Sequence, residues 1–184
     1  MIYTFSFLFL AIIILKLWLV YQNYSKTKKN LSEFCLLKKI DIPKELRLMN
    51  FELPEIKQES WKIQWKKQGK GRSYHHVLKI YYEFQNHLPK FQLVSKNILP
   101  KLNAKEDWKE MESNLFSNSK WLQTKKTFLE RVVKLQKEYG WGILEVNENL
   151  AFYTIIAEPW EKEAWKHLEG VLDLMKKLED VCIQ

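Results

Sequence analysis

The chain has 184 residues, 46% hydrophobic and 28% charged, with 30 Lys+Arg against 22 Asp+Glu and a formal net charge of +8. That length suits one domain of ordinary size, and a 14% aromatic content that includes eight Trp excludes disorder over the whole chain. Five Gly and five Pro exclude a collagen-like or low-complexity chain, and two Cys exclude a disulfide framework or a four-thiolate zinc site.

Residues 2–21, IYTFSFLFLAIIILKLWLVY, carry one charge, Lys16. As a helix they extend about 30 Å, the thickness of a bilayer's hydrocarbon core. Lys16 lies near the aromatic end, where its stem reaches the interface, and Trp18, Tyr21 and Tyr24 mark the water boundary. A cleaved signal peptide needs a positive segment before the apolar run and a small-x-small site after it, and neither is present. Lys26, Lys28 and Lys29 flank the run on its carboxyl side instead. The positive-inside tendency therefore predicts a retained signal-anchor that crosses the lipid bilayer once through residues 2–21, amino end outside and residues 24–184 cytoplasmic. Unpaired thiols at Cys35 and Cys182 agree with that compartment. Asn23-Tyr24-Ser25 and Asn30-Leu31-Ser32 match the glycosylation triplet but hug the membrane and read as chance.

The remainder divides into a basic juxtamembrane linker, residues 24–44, and a soluble α+β domain, residues 45–184. Within the linker Phe34, Leu36, Leu37 and Ile40 form at most one amphipathic turn. LRLMNFEL, residues 46–53, alternates loosely until Pro54. Trp61, Ile63 and Trp65 alternate with Lys62, Gln64 and Lys66, a strand with one apolar face. Gly69-Lys70-Gly71 predicts a tight turn. The return strand places Tyr74, His76, Leu78, Ile80, Tyr82 and Phe84 on one side, and Phe91 and Leu93 after Pro89 predict a third strand in a meander. Trp108, Met111, Leu115 and Phe116 stand at helical spacing over residues 104–116. A second helix is expected over 120–139, ended by Gly140. WGILEV and LAFYTIIA predict a second hairpin around Asn147-Glu148-Asn149. Pro159 opens a last helix with the stripe Ala164, Leu168, Val171, Leu172, Met175 and Leu178. The fold expected is α+β, a mainly antiparallel sheet with two hairpin regions covered by helices.

Residues with catalytic potential do not converge in the sequence. His75 and His76 are adjacent on a strand, so they point to opposite faces and suit no shared metal. His87 and Glu83 have helical i, i+4 spacing inside a strand-like text, and His167 stands alone on the last helix, read as a surface imidazole. Gly69-Lys70-Gly71 lacks the spacing and the trailing Lys-Ser/Thr of a P-loop, and no G-x-S-x-G, H-E-x-x-H or C-x-x-C occurs. No catalytic residue, cofactor or metal ligand is therefore assigned.

Residues 61–72, WKIQWKKQGKGR, carry five positive charges and no negative ones, at Lys62, Lys66, Lys67, Lys70 and Arg72. Interleaved aromatics and cations suit single-stranded nucleic acid, but the alternation buries Trp61 and Trp65 on one face and leaves the lysines on the other. Two readings remain ahead of it: a solvated strand face, or a basic surface for the anionic cytoplasmic leaflet, where each lysine is worth about 1 kcal/mol. The function expected is a non-catalytic binding module on a membrane anchor, its partner a protein or an anionic membrane surface. A tethered enzyme with an unrecognised site is the alternative, and a tethered nucleic-acid-binding domain is a more distant one.

Overall fold

The apolar amino-terminal run is helical, and the helix does not stop where the apolar residues do. In the computed structural model, which describes residues 2–43, 53–70, 73–99 and 108–182, helix α1 spans Ile2–Lys38. The helix is exposed from Phe7 to Val20 and is long and apolar enough to cross a membrane. Its second half covers residues 24–38 of the expected linker, which is thus helical and buried along one face. Thr27, Asn30, Leu31, Phe34 and Cys35 are buried, at the i, i+3, i+4, i+7, i+8 spacing of one helix face. Thr27 satisfies its hydroxyl by donating to the Asn23 carbonyl at 2.8 Å. The helix ends on Lys39 at φ 55°, with the Ile40 N–H on the Cys35 carbonyl at 2.9 Å, a left-handed cap that satisfies the last turn.

The sheet is antiparallel throughout its described pairings. Strands β1 (Ile56–Lys57), β2 (Trp61–Lys70), β3 (Ser73–Ser95), β4 (Lys109–Glu112), β5 (Leu115–Ser117) and β6 (Ile143–Ile156) run in the order β1-β2-β3-β5-β4, with β6 on the other edge of β3. Trp61 pairs with Tyr82, and Lys70 with Ser73. Gly69 and Lys70 are thus paired strand residues and not the expected turn, and Gly71 lies outside the described residues. The segment expected at residues 46–53 also lies outside them, save for Leu53.

Two expected breaks do not exist. Pro89 starts no third strand, and Asn147-Glu148-Asn149 reverses no hairpin: residues 73–95 and 143–156 are single long strands that pair along most of their length. The pairing shifts register between Glu83 and Leu88 and again between Leu88 and Phe91, opposite Glu148 at φ 60°. Residues with turn chemistry bend the two strands together as bulges. The helix expected over 104–116 is the β4–β5 hairpin where it is described, turned by Ser113 and Asn114 with φ of 46° and 66°. Two successive positive φ values give the hairpin turn whose twist matches the strands.

The last two helices follow the expectation more closely. A 3-10 turn, Lys120–Thr124, precedes α2, Lys126–Tyr139, and Gly140 at φ 101° ends it. Helix α3, Lys162–Cys182, buries all six residues of its stripe. Both helices and the second half of α1 cover the face of the sheet that carries Ile63, Trp65, Leu78, Ile80, Leu144 and Tyr153, and the core lies between them.

Candidate functional site

One end of this domain is set by the direction in which α1 enters it. Glu33 meets Lys162 at 4.0 Å and Lys38 meets Asp173 at 3.8 Å, so α1 and α3 run parallel. Phe34 lies against Trp61 and Trp165 at ring distances of 6.2 and 5.4 Å, and Trp165 against Trp65 at 4.6 Å. Gln58 Nε2 donates to the Lys38 carbonyl at 3.1 Å, so β2 runs towards the amino end of α1, and Phe34 is taken as level with Ile63 for heights along α1. A strand advances about 3.3 Å per residue and a helix about 1.5 Å. From Ile63 to Lys67 is thus about 13 Å, which on α1 reaches back to about residue 25. The described end of β2 thus lies along the part of α1 that follows Tyr21, where the apolar stretch ends.

The residues singled out by sequence distribute themselves over this end as follows. Lys66 and Lys67 are exposed, on opposite faces of β2. Lys67 Nζ stands 3.6 Å above the Tyr74 ring. Lys62 lies one turn of the pleat further away and is held by Glu55 at 2.9 Å, with the Tyr81 ring beneath it at 5.5 Å. The Lys70 side chain and all of Arg72 lie outside the described residues. Lys26, Lys28 and Lys29 are exposed on α1, Lys29 within 3.9 Å of Glu33. The patch is thus not one contiguous surface, but Lys66 and Lys67 share their end of the domain with the α1 lysines.

Sequence reasoning missed the apolar members of that end. Tyr74 is 46% and Ile156 61% exposed, and Trp160 is half-buried with its ring 5.3 Å from His76, edge to face. Ile156 pairs with Val77, which pairs with Lys66. The available signal was Ile155-Ile156: two consecutive Ile put one of them on the outward face of any strand. His76 is buried and its Nδ1 is 2.6 Å from Glu158 Oε2, locking the start of the β6–α3 connection onto β3.

A second buried imidazole corrects the expectation of a surface His167. It is buried between α2 and β6, with Nε2 2.6 Å from the Tyr153 hydroxyl, and that hydroxyl accepts the Gly142 N–H at 3.2 Å. Burial pushes the Tyr153 phenol far above its ordinary range and pushes the His167 imidazole down to about 4 from 6.5. Between these two pH values the unfolded chain binds a proton that the folded chain refuses, so acidification favours unfolding. Stability is expected to fall by about 1.4 kcal/mol per pH unit through this window, about 3 kcal/mol in all. Denaturant titrations from pH 7 to 4 check this, and the His167→Gln variant should lack that part of the slope.

A concavity of about 740 Å³ opens beside the same end, with Gln68, His75, Gln136, Tyr139, Trp141 and Ile156 among its walls and, among the described residues, no Lys, Arg, Asp or Glu. The Tyr139 phenol donates to Glu161 at 2.7 Å, and burial with that carboxylate holds it far above its ordinary range. It is therefore a poor proton carrier near neutral pH. Among the described residues no three His, Cys, Asp or Glu side chains are grouped to hold a metal ion. No family model, no curated protein and no solved structure matches this chain.

Proposed function

We propose that the chain is a single-pass membrane protein, amino end outside, whose α+β domain is a non-catalytic binding module held against the cytoplasmic face of the bilayer. The observation that carries this reading is the unbroken passage of α1 from an exposed, membrane-length apolar stretch into the core of the domain. A loose linker would let the domain wander; a helix buried at Thr27, Leu31 and Phe34 fixes its distance and orientation. The side chains most suited to proton transfer support a binding role, because His76 and His167 are both committed to internal hydrogen bonds. The basic flank Lys26, Lys28 and Lys29 supports the orientation.

Two measurements test this. The chain should stay in the pellet through an alkaline carbonate wash, and its release would remove the anchor. In a K177C variant carrying C182S, position 177 is an exposed site on α3. A membrane-impermeant maleimide should label it only after the cells are opened. Labelling in intact cells would reverse the orientation.

A further inference from the structure

We propose that the end of the domain carrying Lys66, Lys67, Tyr74, Ile156 and Trp160 is itself a membrane-contacting surface, which seats its aromatic and aliphatic side chains among anionic lipid headgroups. The inference rests on the single-pass reading above and adds to it which surface meets the bilayer, and with what chemistry.

Height is the first argument. Tyr21 closes the apolar stretch, and the headgroup layer on each side of a bilayer is about 5–7 Å thick. The row Lys66, Val77, Ile156 lies three strand residues beyond Ile63, about 10 Å towards the bilayer, level with about residue 27 of α1. That is six residues past Tyr21, about 9 Å. Lys67 and His76 lie one strand residue closer and Tyr74 three, with the Trp160 ring beside His76. These side chains therefore stand at the outer edge of the headgroups without any movement of the domain, because α1 is rigid between the two.

Composition is the second argument. An Ile at 61% exposure and a Tyr at 46% are poor choices for a surface facing only water, and both stand at the end where the geometry puts lipid, on opposite faces of the sheet. Tyr and Trp are the side chains that favour the membrane interface, with an apolar body and a polar tip. Lys67 over the Tyr74 ring presents charge and ring together.

Charge is the third argument. Lys66 and Lys67 add to Lys26, Lys28 and Lys29, and Lys162 is exposed at the same end. The carboxylates there are engaged: Glu158 with His76, Glu161 with the Tyr139 hydroxyl, and Glu33 with Lys29 and Lys162. Glu163 is exposed as well, between Lys162 and Lys166 in sequence. The net field is positive and complements an anionic leaflet. Each lysine near such a surface shifts the docked fraction about five-fold.

The test uses the full chain in vesicles of phosphatidylcholine, with and without phosphatidylglycerol. An environment-sensitive fluorophore is placed on I156C or on K177C, each carrying C182S. With the anionic lipid, emission at position 156 should shift to the blue and its access to an aqueous quencher should fall several-fold, while position 177 stays unchanged. K66Q/K67Q should weaken docking about thirty-fold and return position 156 to its state in pure phosphatidylcholine. A chain retained through carbonate whose position 156 stays open to quencher in both lipids overturns the docking and leaves the anchor intact. Release by carbonate overturns the anchor and the docking with it. Protection that rises with protein-to-lipid ratio instead of with phosphatidylglycerol assigns the surface to a second copy and overturns the proposal.

Discussion

Phe34→Ala is expected to lower the stability of the folded domain by about 3–5 kcal/mol. The phenyl ring is 1% exposed and sits in a cluster with Trp61, Trp165 and, through Trp165, Trp65. Deleting it removes the aromatic contact of α1 with β2 and α3 together and leaves a cavity between two large rings that have little room to close over it. Leu36→Ala and Leu37→Ala provide the control, since these side chains lie on the same helix but are 71% and 61% exposed. They should cost no more than about 0.5 kcal/mol. Denaturant unfolding of the full chain in detergent, followed by tryptophan fluorescence, separates the two classes. A Phe34→Ala loss no larger than the controls would mean that α1 beyond residue 24 is a tether and not a wall of the core, and the fixed height of the domain would go with it.

That stripe was readable in the sequence, and its two polar members concealed it. Thr27, Asn30, Leu31, Phe34 and Cys35 have ideal helical spacing, yet a search for apolar residues sees only the last three and reads a linker. The α3 stripe has no polar member and was legible in full. Strand against helix was decided correctly at Trp61–Trp65, where cations alternate with aromatics. It was decided wrongly at Trp108–Phe116, where an i, i+3, i+7, i+8 pattern also fits two short strands around a two-residue turn. Long bent strands are the least legible of all. Asn86-His87-Leu88-Pro89 and Asn147-Glu148-Asn149 have the composition of turns, and only their pairing with each other makes them bulges. The basic residues of the candidate surface were visible from charge alone. Tyr74, Ile156 and Trp160 were not, because their exposure depends on where the sheet ends relative to α1.

Gly142→Ala should be more damaging than Gly140→Ala or Gly170→Ala, although Gly142 belongs to no helix and precedes β6 by one residue. A Cβ there would lie 1.9 Å from the Thr154 carbonyl oxygen and 2.8 Å from its carbon. The clash is with backbone, at the far end of the same strand, because the bent β3–β6 ribbon brings the start of β6 back onto its finish. Relief requires the Thr154 strand segment to move, and Gly142 also donates its N–H to the Tyr153 hydroxyl that is bonded to His167. Overpacking costs about 1–3 kcal/mol, and a buried donor or acceptor left without its partner about 1–3 kcal/mol more. The expected loss is therefore about 3 kcal/mol or greater. Gly140→Ala meets no atom within 4 Å but must hold φ 101°, a strain of about 1–3 kcal/mol. Gly170→Ala approaches the Leu135 Cδ2 at 2.5 Å, a flexible tip that can turn aside, so its cost falls below both. The order Gly142 over Gly140 over Gly170, read by denaturant midpoints, tests the closure of the ribbon itself. If Gly142→Ala is no worse than Gly170→Ala, the two ends of β6 are not in contact and the Tyr153–His167 pair is not held from that side.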